Sequence, residues 1–289
     1  MAGTIRLDQA LRSAAAKLRD ITDTPQFEAQ ILLASILDRE RSWLLAHPEF
    51  QLDEPTQRTF NQFVGRVQQG EALPYVIGER WFFGRKFSVE SAVLIPRPET
   101  ELLVEAALDF LSAHHDKRRA VDVGTGSGCI AVTLCAEVSD LSMFATDRSQ
   151  QALKIAYRNA VQHQVDDRIH FWVGDLLDGV TGEFDLICAN LPYIPSGRLS
   201  TLEVARREPI EALNGGEDGL KLVTRLIKGA NKHLVHGGRM ILEIDETQGD
   251  MVVDLAKSIY PDWSVALMQD LAGMDRVLVL DRDSHTYEN

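Results

Sequence analysis

The chain has 289 residues, enough for one α/β domain of ordinary size and a smaller companion. Hydrophobic residues make up 45% and charged residues 25%, as in a globular protein with a substantial core. Lys+Arg 30 against Asp+Glu 43 leaves a net charge of −13, which argues against a general nucleic-acid binder, because such a protein needs a cationic surface to displace counterions from phosphates.

In chain order, residues 1–75 read as helical. Leu7, Ala10, Leu11, Ala14 and Leu18 recur at helical spacing. Thr24-Pro25 reads as an N-cap followed by proline at the first helical position, opening a helix that runs to Leu37. Asp53 can cap a further helix carrying Phe60, Phe63, Val64 and Val67, with Gly70 near its end. Nothing in this module looks catalytic, and a small helical unit of this kind suits substrate recognition or props a neighbouring domain. Residues 76–96 change character: Trp81-Phe82-Phe83-Gly84-Arg85-Lys86-Phe87 is aromatic, β-prone and broken by a glycine, which predicts a hairpin linker. Its aromatic residues are expected to pack between domains. Ile95-Pro96-Arg97-Pro98-Glu99-Thr100 then forms a proline-stiffened loop into a helix starting near Glu101.

Residues 97–289 form the larger domain. Strands are predicted at 120–123, 143–146, 169–173, 184–189, 239–244, 264–268 and 276–280, with helical patterns at 130–137, 150–163, 219–234 and 248–258. Alternation of strand and helix predicts an α/β, Rossmann-like fold with a seven-stranded, mostly parallel sheet covered on both faces. Ligands in such sheets bind beyond the carboxyl ends of the strands. The three cysteines, Cys129, Cys135 and Cys188, are too few and too irregular for a disulfide framework or a zinc site, and are expected as small buried side chains. His114-His115, beside charged Asp116-Lys117-Arg118-Arg119, reads as a solvated loop, and no metal is expected. No run approaches the ~18 apolar residues of a membrane span. The opening Met1-Ala2-Gly3-Thr4-Ile5-Arg6 continues into an amphipathic pattern without a signal-peptide apolar region, so a cytoplasmic location is expected.

Val121-Asp122-Val123-Gly124-Thr125-Gly126-Ser127-Gly128 is a strand running into a glycine-rich turn and a helix. A dinucleotide fingerprint would place a glycine at the sixth position, where Cys129 stands, and a P-loop would end in Gly-Lys-Ser/Thr, which is absent. The turn resembles motif I of class I methyltransferases, which implies S-adenosylmethionine, a cofactor without phosphate, held by Gly124, Thr125, Gly126, Ser127 and Gly128. Asp147, at the end of the next strand, can accept hydrogen bonds from both ribose hydroxyls; the competing reading is a cap on the helix at 150. Gly174-Asp175-Leu176 ends the third strand, where such folds hold adenine. Asp175 can accept the exocyclic amine, and Leu176 can pack on the ring.

Phe184 to Ala189 is an apolar strand ending in Asn190-Leu191-Pro192-Tyr193, at the edge of the cofactor cleft. A planar amide or exocyclic amine has a delocalised lone pair and attacks a methyl sulfonium poorly. The Asn190 side-chain oxygen and the Leu191 carbonyl can accept its two N–H groups, with Pro192 stiffening the loop and Tyr193 stacking over the target. Two acceptors orient the nitrogen and stabilise the positive charge that grows on it. Asn190 also adjoins the cofactor.

The Asn190-to-Tyr193 element resembles the Asn-Pro-Pro-Tyr motif of methyltransferases acting on planar amino groups. Together with Ile95 to Glu101, the glycine turn, Glu208-Pro209, Gly215-Gly216-Glu217-Asp218-Gly219-Leu220, Leu242-Glu243-Ile244 and Asp270-Leu271-Ala272-Gly273, it resembles the HemK/PrmC family of peptide chain release factor N5-glutamine methyltransferases. The resemblance is close over roughly residues 75–281 and loose before them. It implies methylation of the glutamine in the Gly-Gly-Gln loop of class I release factors by a monomer, without stable nucleic acid or membrane. Leu191 departs from the family's first proline, and Leu176 stands where some members carry an aromatic residue. The alternative reading is an adenine-N6 methyltransferase on RNA or DNA, since Asn-Leu-Pro-Tyr also occurs in ribosomal RNA adenine dimethyltransferases.

Overall fold

The computed structural model describes residues 4–283; residues 1–3 and 284–289, at the ends of the two expected domains, lie outside the described residues. The chain divides into two compact units between Glu79 and Arg80.

The first unit is built on helices α1 (Leu7–Leu18), α2 (Pro25–Leu37), α3 (Arg41–Ala46), α4 (Glu54–Gln68) and α5 (Leu73–Ile77). Leu7, Ala10, Ala14 and Leu18 face inward from α1 and meet Leu32 and Leu33 of α2 and Phe60, Val64 and Val67 of α4. Each leucine in that set is essentially inaccessible, and burial of one such side chain contributes about 1.5–3 kcal/mol. Asp53 caps α4 as expected, accepting from the Thr56 backbone N–H at 2.9 Å. Thr24 stands at the cap position of α2 but its side chain caps nothing. The Thr22 hydroxyl organises this corner instead, accepting from Thr24 N at 3.2 Å and donating to Glu28 at 2.7 Å. The unit is also not purely helical: Ile5–Arg6 pairs antiparallel with Gln51–Leu52.

A hairpin of Glu79–Phe82 and Arg85–Ser88 begins at the last residue of the first unit and otherwise belongs to the second. Phe82 and Phe87 are buried in this unit's own core. Trp81 departs from the packing role expected of it: it is 59% exposed, with the Lys86 ammonium 5.5 Å from its ring. The main sheet has seven strands, β1 (Arg119–Val123), β2 (Ser142–Asp147), β3 (Ile169–Val173), β4 (Phe184–Ala189), β5 (Leu234–Glu243), β6 (Ser264–Gln269) and β7 (Asp275–Asp281). Their order is β6-β7-β5-β4-β1-β2-β3, with only β7 and its two pairings antiparallel.

Helices α6 (Thr100–Ala113), α7 (Cys129–Glu137), α8 (Gln150–Gln162), α9 (Lys221–Gly229) and α10 (Gly249–Ile259) complete the layers. Seven consecutive residues of α7, from Cys129 to Cys135, are buried, because this apolar helix lies inside the layers. All three cysteines are buried and free. The strand order reverses direction at β1 and β4, so the chain leaves these neighbours in opposite directions and opens a crevice at their carboxyl ends. No described helix is long and apolar enough to cross a membrane.

Candidate active site

At that crevice lies a cavity of about 550 Å³, within the range of small-molecule sites. Its floor is the turn after β1. Gly124, Gly126 and Gly128 take φ of +76°, +55° and +80°, which side-chain-bearing residues adopt only under strain. The Gly124 and Thr125 backbone N–H groups both donate to the Thr146 carbonyl, at 2.8 and 2.9 Å, pinning the turn to β2. Beneath it, Asp122 is fully buried, accepting from the Thr125 hydroxyl at 2.6 Å and the Ala131 N–H at 3.3 Å; burial pushes its carboxyl up to about 7.

Asp147 lines the cavity at the end of β2. One of its oxygens accepts from Gly126 N at 3.0 Å, the other from Ser149 N at 2.8 Å, and burial holds its pKa above the usual carboxylate range. Asp147 does not cap the helix at 150. Ser149 caps α8 through Oγ, accepting from Ala152 N at 3.1 Å. Asp175 and Leu176 line the wall after β3. Leu176 has φ +58°, a left-handed conformation uncommon for leucine that turns the chain at the cavity. Asp175 is exposed and meets the Arg225 guanidinium of α9 at 2.9 Å, a partner that the sequence pattern did not reveal.

Asn190, Leu191 and Pro192 line the opposite side, after β4. Asn190 donates from Nδ2 to Thr100 Oγ1 at 3.0 Å, and the Thr100 hydroxyl donates to Glu243 Oε2 at 2.6 Å. The Leu191 side chain is buried, and a Cβ on Gly124 would come within 3.0 Å of its Cδ2, so this leucine wedges the loop against the glycine turn.

Two residues of the expected site do not line the cavity. Gly128 ends the turn beneath it, packed so closely on α8 that a Cβ there would stand 3.0 Å from Ala156 Cβ. Tyr193 points its hydroxyl at Glu243 Oε1 across a long 3.4 Å, and its carbonyl accepts from Gln248 Nε2 at 3.1 Å. Burial and the neighbouring Glu243 carboxylate push its phenol well above the usual range.

Several contributors went unassigned in the sequence. Thr100 and Glu243 brace Asn190. The Glu208 carboxylate, buried, accepts from Ile95 N at 3.0 Å and pairs with Arg97, which lines the cavity. Ile194–Pro195 pairs in parallel with Asn214–Gly216, and this small ladder carries the glycine-rich loop up to the Asn190 loop. A side chain on Gly219, at φ +81°, would overlap the Tyr193 carbonyl and crowd Gln248, so glycine is required where the two loops meet. A charged residue ending an apolar strand, as Glu243 does, was the available signal for that brace.

The residues present suit a cofactor that carries a cationic centre and hydroxyl groups. The turn offers an open face, since a Cβ on Gly126 would meet nothing nearer than 3.9 Å. Carboxylates of Asp147, Asp175 and Glu211 line the space together with the guanidiniums of Arg148 and of Arg97, the latter paired with Glu208. Two family models match the sequence: the PrmC N-terminal domain over residues 9–78 and the methyltransferase small domain over residues 99–208. Release factor glutamine methyltransferase of Coxiella burnetii is 35% identical over 280 residues, covering 96% of this chain and 99% of its own length. That of Nitratidesulfovibrio vulgaris is 39% identical over 283 residues, covering 96% and 95%.

The chain belongs to the release factor glutamine methyltransferase family. As a member, it is an S-adenosylmethionine-dependent methyltransferase, and the N-terminal helical unit is a feature of the family rather than an addition. Solved structures share its fold. A methyltransferase from Pyrococcus furiosus superposes with a TM-score of 0.51 at 18% identity, covering 76% of this chain and 97% of that one. The hMettl16 catalytic domain, in complex with the MAT2A 3′UTR hairpin 6, gives 0.56 at 17% identity, covering 81% and 84%.

Proposed function

We infer that the chain transfers a methyl group from S-adenosylmethionine to the side-chain amide nitrogen of a glutamine in a peptide chain release factor, and that the glutamine lies in a Gly-Gly-Gln loop. The observation that carries this reading is the placement of Asn190 on the same cavity as Asp147 and the glycine turn, with its Nδ2 already bonded to Thr100.

Asp147 would hold the ribose hydroxyls, the Gly124–Gly128 turn the amino-acid moiety, and Asp175 and Leu176 the adenine. When bound, the cofactor supplies an electrophilic sulfonium methyl. Asn190 then does three things. With Nδ2 occupied, it presents Oδ1 as an acceptor for one N–H of the target amide. With the Leu191 carbonyl taking the other N–H, it turns the nitrogen lone pair towards the methyl. As positive charge grows on that nitrogen, both oxygens stabilise it from fixed positions. No strong base is needed beforehand, because the alkylated nitrogen is acidic and loses its proton afterwards. Tyr193 is assigned to anchoring the loop through Glu243 and Gln248, in place of stacking on the substrate.

The helical first unit is proposed to recognise the release factor body. The chain is proposed to act as a monomer in the cytoplasm, and the absence of stable nucleic acid accords with the −13 charge. The test is incubation with labelled methyl donor, purified release factor and bulk RNA, followed by locating the label. Label on a glutamine amide is the expected result. Label on adenine overturns it in favour of the nucleic-acid reading.

A further inference from the structure

The hydrogen bonds around Asn190 form a chain with a direction. Thr100 has one hydroxyl proton. While that proton is donated to Glu243 Oε2, at 2.6 Å, the Thr100 oxygen can only accept, and the Asn190 group facing it at 3.0 Å must be the NH₂. The opposite end of the same amide is then an oxygen. If Glu243 instead carries a proton and donates it to Thr100, the threonine proton is free to point the other way. Asn190 then satisfies it by turning its oxygen inward and its NH₂ towards the cavity. An NH₂ there opposes the N–H of a substrate amide.

We propose that Glu243, acting through the Thr100 hydroxyl, is a positioning residue that sets which end of the Asn190 amide faces the substrate, and so switches the site between accepting and rejecting an amide N–H. This deepens the proposed function and rests on Asn190 being the substrate's acceptor. All three residues lie in the second unit, on three separate elements: Thr100 opens α6, Asn190 follows β4 and Glu243 ends β5. Glu243 is 2% exposed, so water does not compete for its oxygens.

The surroundings place the switch in an accessible range. Burial is the largest influence on Glu243 and pushes its carboxyl up to about 7. The Thr100 hydroxyl opposes this, the Glu99 carboxylate at the start of α6 adds to it, and the Tyr193 hydroxyl and the Arg276 guanidinium of β7 oppose it more weakly. Arg276 is itself held by Asp270 at 2.8 Å and Glu246 at 2.7 Å, which divides its charge. The Cys129 thiol of α7, raised to about 12 chiefly by burial and the Asp122 carboxylate and only slightly by Glu243, stays protonated.

The experiment is kcat against pH for the full chain with saturating cofactor and a purified release factor, comparing wild type, Glu243→Gln, Thr100→Val and Thr100→Ser. Wild-type kcat should fall on the acid side, by on the order of tenfold for each pH unit below the Glu243 ionisation. Glu243→Gln, whose amide oxygen accepts from Thr100 without titrating, should lose that acid limb. Thr100→Val should lower kcat on the order of tenfold or more and lose the limb, because the chain is cut at its middle. Thr100→Ser should restore both rate and limb. Persistence of the wild-type limb in Glu243→Gln or Thr100→Val, or a flat wild-type profile, overturns the proposal. Should Thr100→Val fail to fold, the isosteric Glu243→Gln alone decides. Mapping the label in the wild-type product separates the two ideas. Methylated glutamine with an unaltered limb in the variants sinks only the switch, whereas absence of methylated glutamine sinks the function beneath it.

Discussion

The two units of the molecule treat buried polarity in opposite ways. In the helical unit the core is aliphatic and aromatic: Leu18, Leu32, Leu33, Leu44 and Phe60 are packed with no buried polar or charged side chain among the described residues of that unit. In the second unit Asp122, Glu243, Thr100, Thr125, Ser127, Asn159 and Gln248 are all buried. Burying a polar group is unfavourable unless its hydrogen bonds are met, so such groups persist where they hold something in place. Here some hold backbone, and Glu243 and Thr100 hold the Asn190 side chain. Asp122 holds the glycine turn, Gln248 the Tyr193 carbonyl, and Asn159 the Ser127 carbonyl at 2.8 Å and Ser88 N at 2.7 Å. One unit is built for packing and the other for aiming, and that contrast can be broken by experiment.

The largest effect should come from the packed unit and fall on stability alone. Phe60→Ala should cost about 3–5 kcal/mol in a denaturant titration, yet leave kcat on a short Gly-Gly-Gln peptide close to wild type where the protein is still folded. A fall in peptide turnover matching the loss of stability would mean that the helical unit shapes the chemistry. Next, Asn190→Ala should lower kcat by about 10²-fold, roughly 2.7 kcal/mol of transition-state stabilisation, with the unfolding midpoint little moved. Near-normal turnover would remove Asn190 from its assigned role. Asp147→Ala should weaken cofactor binding by on the order of tenfold or more, read by calorimetry. Unchanged affinity would remove the ribose assignment.

A further effect is a pH dependence of stability. Glu243 binds its proton more tightly folded, about 7 against the ordinary 4.5, so its contribution to stability is fully present below the lower value. That contribution is lost as pH rises through the folded value. Glu243→Gln cannot lose it, so the variant should gain on wild type between about pH 5 and about pH 8, measured as the difference in denaturant midpoints. A difference independent of pH would show that Glu243 titrates normally, and with it would go the contrast between an aimed and a merely packed interior.

Much of the site could be read along the chain because its pieces are short and follow strands. The glycine turn after β1, Asp147 after β2, Leu176 after β3 and Asn190 after β4 each declare themselves by a few neighbouring residues. In an alternating α/β chain, the ends of parallel strands must gather on one edge. Tyr193 shows where such local evidence stops. Its aromatic ring suggests stacking, but its surroundings are supplied by Glu243 and Gln248, residues 50 and 55 positions away. Trp81 departs likewise, since in an alternating strand the face that is buried is set by what packs on it.

Sequence by itself therefore determined the sheet, the glycine-rich turn, the family and the place of the Asn190 loop at the strand ends, because periodicity and strand-end motifs are local and the topology that assembles them is nearly forced. Tertiary structure alone decided which way the Asn190 amide is held. Thr100 and Glu243 are 143 residues apart and touch only because α6 and β5 pack together. A hydrogen bond's direction depends on every partner in its chain, and no run of neighbouring residues encodes that.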